Sequence, residues 1–292
     1  MATSDVGLDT GGKTVRVARA RRTSPTSPSS PLLAYVLHSY DWSESSLIVE
    51  LFTRAQGRVV VVAKGAKKPT SNFRAVLLPF APLHAALGRL PADDNAEVHT
   101  LRAAEWAGGA PLLRGDALLA GFYCNELLLK LLARSDAHAV LFDSYADTLA
   151  ALAGGDGSSK TSSNESSNES SNESSNATAL RAFELLLLRE LGWLPDLASA
   201  TLTTQLLQPA QRYTLHPEAG LISHAQGLSG EHWVAIEAAL SHGGSAALRA
   251  ACGPVSGALR GPLRSLLHYH LGSSKLRTRQ IWQSVQRLAR TD

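Results

Sequence analysis

Side chains able to do covalent or metal chemistry are present in this 292-residue chain, but their spacing does not assemble them. There are ten histidines and two cysteines. Cys124 and Cys252 lie far apart, and neither opens a Cys-x-x-Cys pair. His268 and His270 are one residue apart, which puts them on different faces of a helix. No His-Glu-x-x-His, no Walker-type phosphate loop and no Gly-x-Ser-x-Gly nucleophile turn occurs. Asp93 and Asp94 sit in "PADDNAE", which reads as a turn and supplies only one pair of carboxylates. The residues that do stand out are cations. From Arg54 to Arg89 there are seven Lys or Arg and no Asp or Glu. Enzymatic chemistry has no anchor in this pattern, and binding of an anion has one.

The core of that stretch is "GRVVVVAKGAKKPTSNFRA", residues 57–75. Strand alternation puts Arg58, Val60, Val62 and Lys64 on one face and Val59, Val61 and Ala63 on the other. Lys67, Lys68 and Arg74 continue the positive charge into the following link, with Arg54 just upstream. Gly65 and Ala66 keep that link slim. Cations spaced along a surface suit a phosphodiester backbone. A solvated face with lysines for solubility is the plainer alternative. Tyr40 and Trp42 in "SYDWSESS", and Phe73 in the link, are candidates to stack on bases, Trp42 foremost; each is equally a candidate core residue.

The composition, 44% apolar and 18% charged, is that of a globular protein, and the length suits two domains. Sparse cysteine points to a reducing cytoplasm. No apolar run approaches the ~20 residues of a membrane span. Residues 1–30 read as a disordered basic tail rather than a signal peptide, because "RRTSPTSPSSP" follows where an apolar core would be needed. The net charge is +3, but it is segregated: residues 109–180 carry −5 and 245–292 carry +7.

Five short runs at 32–38, 46–53, 58–64, 81–88 and 96–105 are rich in β-branched and aliphatic residues and bounded by turn formers. Gly57 in "TRAQGR" fits a hairpin turn, and five such strands suggest a small barrel spanning 31–108. From Asp116, expected as a helix cap, the periodicity becomes helical, so 109–292 reads as an all-α domain with an irregular section near 195–228. The chain is therefore α+β and multidomain. The "SSNE" repeat at 162–176, within a polar insertion at about 154–177, is expected to be disordered. The end of the chain, with Lys275, Arg277 and Arg279, forms a possible second basic patch. Arg287 and Arg290 there also complement a helix C-terminus.

Read together, "YVL…SESS" at 35–46, "LFTRAQGRV" at 51–59, "AKGAKKP" at 63–69 and "LLPFAPL" at 77–83 resemble the N-terminal domain of the RecO family of bacterial DNA repair and recombination mediators. "GDALLAGFYCNELLLKLL" at 115–132, "LRAFELLLLRELGWLPDL" at 180–197 and "SKLRTRQ" near the end are similar to later parts of that family, in order from about 33 to 282. The resemblance implies an OB-fold barrel followed by a helical domain, with no catalytic residues and no cofactor. It implies binding of single- and double-stranded DNA and annealing of strands coated by single-stranded-DNA-binding protein (SSB). It also implies cooperation with RecR in loading RecA. Lys64, Lys67 and Lys68 occupy the family's basic element, flanked by Arg54 and Arg58. Some members carry a four-cysteine zinc site in the irregular section. Here that section has no cysteine, so zinc is not expected, and neither His216 nor His224 is expected to bind a metal. A protein–protein adaptor, gripping an acidic SSB tail through the helical domain, is the rival reading.

Overall fold

The computed structural model describes residues 30–88, 98–109, 112–154, 165–272 and 276–288. Five strands, β1 (Leu32–Asp41), β2 (Leu47–Thr53), β3 (Gly57–Ala63), β4 (Pro82–Leu87) and β5 (Val98–Trp106), close a barrel in the order β1-β2-β3-β5-β4. All neighbours are antiparallel except β3 and β5, which run parallel from Val60–Val98 to Val62–Thr100. The inward set is the one that alternation requires: Ala34, Val36, Val49, Leu51, Val59, Val61, Ala63, Leu83, Ala85 and Leu101. Ala66 and Leu77, from the link holding the one-turn helix α1 (Phe73–Val76), complete this core, and Phe73 packs against it. Phe73 is thus a barrel residue rather than a stacking platform.

β1 and β2 read as nearly unbroken apolar runs because both of their faces are covered. Their outward residues Tyr35, Leu37 and Phe52 belong to the core of the helices. The Tyr35 ring lies 5.3 Å from Phe142 and 5.1 Å from Tyr145, and Phe52 lies 5.3 Å from Phe142. Asn125 fastens the same seam, donating to the Leu37 carbonyl at 3.0 Å and accepting from the Tyr145 hydroxyl at 2.5 Å. Gly57 has φ +67°, and a Cβ there would stand 1.6 Å from the Asp136 carbonyl oxygen. Only glycine lets the β2–β3 turn approach the helices this closely.

The helical body comprises α2 (Gly115–Leu131), α3 (Ala139–Leu152), α4 (Glu165–Glu190), α5 (Gly230–Ala238), α6 (Gly244–Cys252), α7 (Ser256–Leu271) and α8 (Arg277–Leu288). α4 packs against α2, α3, α6 and α7, and its stretch 179–188 is apolar around most of its circumference, as a central helix must be.

Three expectations need correction. The body is not all-α: β6 (Arg212–His216), β7 (Gly220–Ser223) and β8 (Leu228–Ser229) form a small sheet in the section expected to be irregular. Its period-2 signal is only Tyr213 and Leu215 buried on β6, too short to stand out. The polar insertion is helical from Glu165, and Thr178 donates back one turn to the Ser174 carbonyl at 2.9 Å. Ser and Asn are poor helix formers, but extending a helix already nucleated by packing costs little, and glutamates suit its N-terminal end. Finally, Asp116 lies in the first turn of α2 rather than at its cap, a place the helix dipole also favours. The tail 1–29, residues 155–164, Arg89, Asp93, Asp94, Lys275 and Arg290 lie outside the described residues, as do the side chains of Arg279 and Arg287.

Candidate nucleic-acid interface

The basic stretch divides in two. Arg54, immediately after β2, forms a two-pronged ion pair with Asp143 on α3, Nε–Oδ1 at 2.8 Å and Nη2–Oδ2 at 2.9 Å. The hydrogen bond from Arg54 holds the Asp143 carboxyl below the usual range. Arg58 points outward from β3 into the seam, where its side chain is only 15% exposed. Its Nε donates to the Leu132 carbonyl at 3.1 Å, and its Nη1 lies 3.4 Å from Glu50 on β2. Glu50 is buried, and its second oxygen receives Arg134 at 3.4 Å. The structure thus pairs both arginines with carboxylates at the barrel–helix seam, Arg58 largely buried and Arg54 half exposed.

The other cations remain on the surface. Lys64, Lys68 and Arg74 are exposed, and none has a carboxylate within ion-pair distance among the described residues. Lys67 is half-buried and lies 3.4 Å from the largely exposed Asp41. Its backbone N–H donates to the Ser45 carbonyl at 3.0 Å, which ties the basic link to the β1–β2 loop. That loop carries Trp42, 64% exposed, and Tyr40 beside it is 46% exposed. The pairing register sets Tyr40, Ile48 and Val62 side by side on the outer face, and alternation puts Lys64 at the end of this row. The result is an apolar and aromatic strip bordered by cations at one end of the barrel. Val62 lies on the face that alternation gave to Lys64, and Ile48 is the unforeseen member, brought there by the register.

A second site lies in the helical body, a cavity of about 270 Å³ between α2, α4, α7 and α8. Leu180, Leu267, Leu276 and Trp282 give it apolar walls, and exposed Arg260 and Arg264 stand along it one helical turn apart on α7. Neither arginine has a carboxylate at ion-pair distance among the described residues. Its floor is the buried pair Arg181–Glu184 at 2.6 Å, to which the Tyr123 hydroxyl donates at 2.7 Å. Burial pushes the Glu184 carboxyl up, against the pull of Arg181. The i, i+4 arginines in "LRGPLRSLL" were the available signal for this site.

Of the possible second basic patch, Arg277 is exposed at the first turn of α8. His216 and His224 each use Nδ1 to accept backbone N–H groups of their own turns at 3.3 Å. The His270 ring stacks on Trp193 at 4.2 Å. Among the described residues, no group of three or more His, Cys, Asp or Glu is placed to hold a metal ion. No helix among them is long and apolar enough to cross a membrane.

Fold and site together define an OB-like barrel protein that offers charge and rings on two barrel loops and is braced by helices. Comparison with known proteins narrows this. Residues 32–109 match the family described as recombination protein O N terminal. The chain is 51% identical over 261 residues to the DNA repair protein RecO of Verminephrobacter eiseniae, covering 87% of this chain and 96% of that protein. It is 50% identical over 263 residues to that of Variovorax paradoxus and 51% identical over 264 residues to that of Acidovorax ebreus, with the same two coverages. The chain belongs to the RecO family of DNA repair proteins.

Proposed function

We propose that this chain is a non-enzymatic recombination mediator. It binds single- and double-stranded DNA through the barrel, anneals complementary strands coated by SSB, and works with RecR to help load RecA. The observation that carries the reading is the set of exposed cations, Lys64, Lys68 and Arg74, without a carboxylate at ion-pair distance among the described residues, beside the exposed rings of Trp42 and Tyr40. Phosphates neutralise the cations and release counterions, while bases stack on the rings without regard to sequence. Screening the mutual repulsion of two strands lets base pairing proceed, and pairing itself supplies the free energy. No nucleotide and no metal is required. The unit that holds DNA is the barrel, 31–108, and 109–292 braces it. The protein acts in the cytoplasm, at the nucleoid.

The test is annealing of complementary oligonucleotides pre-coated with the cognate SSB, without ATP or metal. Acceleration by the protein supports the reading. Binding to SSB without acceleration replaces it with the adaptor.

The α7–α8 cavity favours the adaptor's contact as a second, compatible element of the same function. Apolar walls with two exposed arginines alongside suit the acidic C-terminal tail of SSB, the apolar end inserted and the acidic residues facing Arg260 and Arg264. Replacing both arginines by alanine is expected to weaken tail binding and reduce its salt dependence.

A further inference from the structure

The tail cavity has three walls built into the helical core and a fourth, α8, made from a polar sequence. In "RTRQIWQSVQRL" the described apolar residues are Ile281, which is 53% exposed, and Trp282, which lines the cavity. The first turn of this helix begins with a cation, Arg277, where the helix dipole disfavours one.

Glu126 on α2 meets this helix start. One carboxylate oxygen accepts the Arg277 backbone N–H at 2.8 Å. The other accepts the Thr278 N–H at 2.9 Å and the Thr278 hydroxyl at 2.7 Å. Two of the N–H groups that a helix start leaves without partners are thereby satisfied from another helix, and a negative charge sits at the positive end of the dipole. Lys130, one turn along α2, lies 3.2 Å from the first oxygen and steadies the carboxylate. Leu276 and Thr278, on either side of the clasped Arg277, are themselves cavity-lining residues.

We infer that Glu126 is a positioning residue for the tail cavity: its carboxylate clasps the first turn of α8 and holds Leu276 and Trp282 as the wall against which the apolar end of an acidic peptide packs. This rests on the peptide reading given above. Glu126 touches no ligand. Arg260 and Arg264, which face the acidic residues, belong to α7 and stay in place without it. Loss of the clasp therefore lowers affinity through the apolar wall and leaves the charge contacts intact.

The test uses the full chain and a fluorescein-labelled synthetic peptide of acidic residues ending in a large apolar residue with a free carboxylate. For Glu126→Ala the expected result is about a tenfold weaker Kd for this peptide, with an unchanged slope of log Kd against log salt. Hydrogen exchange should accelerate in residues 276–284, while single-stranded DNA affinity and Tm stay near those of the unaltered protein. Glu126→Gln, which keeps a carbonyl acceptor, should fall between the two and serves if the alanine variant is poorly folded. Peptide binding by the unaltered chain with no change in either variant overturns the positioning role alone. Unchanged exchange in α8 overturns it also, whatever the peptide does. No binding by the unaltered chain overturns the peptide reading, and the claim about affinity with it.

Discussion

Arg54 and Arg58 stand within fourteen residues of Lys67 and Lys68 in a stretch without a single carboxylate, yet the fold uses the two pairs differently. Asp143 comes to Arg54 from α3 and Glu50 comes to Arg58 from the neighbouring strand, so both arginines have partners within the molecule. Lys68, with Lys64 and Arg74, meets no carboxylate at ion-pair distance among the described residues. Lys67 lies between the two cases, half-buried and facing the exposed Asp41. Absence of acid along the chain therefore does not establish absence of acid in space. Seam arginines are oriented by planar pairing, and loop lysines are flexible point charges free to follow a phosphate backbone.

Disrupting the seam should cost stability and spare binding. Arg58→Ala leaves the buried Glu50 with Arg134 alone and frees the Leu132 carbonyl, so a loss of about 2–4 kcal/mol in unfolding free energy is expected. DNA affinity measured where the variant is still folded should stay within about twofold. A large loss of DNA affinity with unchanged stability would merge the two groups again.

Trp42 probes the loop side. At 64% exposure it contributes little to the core, and Trp42→Ala should leave Tm nearly unchanged. Single-stranded DNA affinity should fall by about 1–2 kcal/mol, as for loss of one stacked base. Fluorescence titration with homopolymer oligonucleotides checks this, and equal affinity of the two proteins would remove Trp42 from the interface.

The smallest effect concerns pH. The Arg54 hydrogen bond depresses the Asp143 carboxyl, so the pair stabilises the fold above the ordinary Asp value of ~3.9. That contribution is lost as pH falls from there through the depressed folded-state value. Both side chains are about half exposed, so the effect is slight and should weaken further with salt. Comparing Tm between pH 3 and pH 6 for the unaltered chain and Asp143→Asn should show a slightly shallower acid slope in the variant.

Much of the fold was legible. The five barrel strands match the five apolar runs closely because small aliphatic residues and turn formers alternate without interruption. The β6–β8 sheet was not, since its strands are two to five residues long. The helical start of α4 was hidden because Ser and Asn carry no helix signal of their own. Among candidate site residues, Lys64, Lys68, Arg74 and Trp42 were legible as exposed charge and ring. The carboxylate partners of Arg54 and Arg58 were not legible, because Asp143 is 89 residues away and the Glu50 contact depends on strand register. The α7–α8 cavity joins side chains from four helices, and the spaced arginines of α7 gave the one local sign of it.

The proposed function stands or falls on whether the loop cations, and not those of the seam, hold DNA. The salt dependence of single-stranded DNA affinity decides it, for the unaltered chain and for Lys64→Glu, Lys67→Glu and Lys68→Glu combined. The triple variant should fold with a near-native Tm and bind at least about tenfold more weakly whatever the sequence. Its slope should be shallower by roughly 0.7 for each phosphate that is no longer neutralised. An unchanged affinity and slope in a folded triple variant would contradict the proposal and place the DNA elsewhere on the molecule.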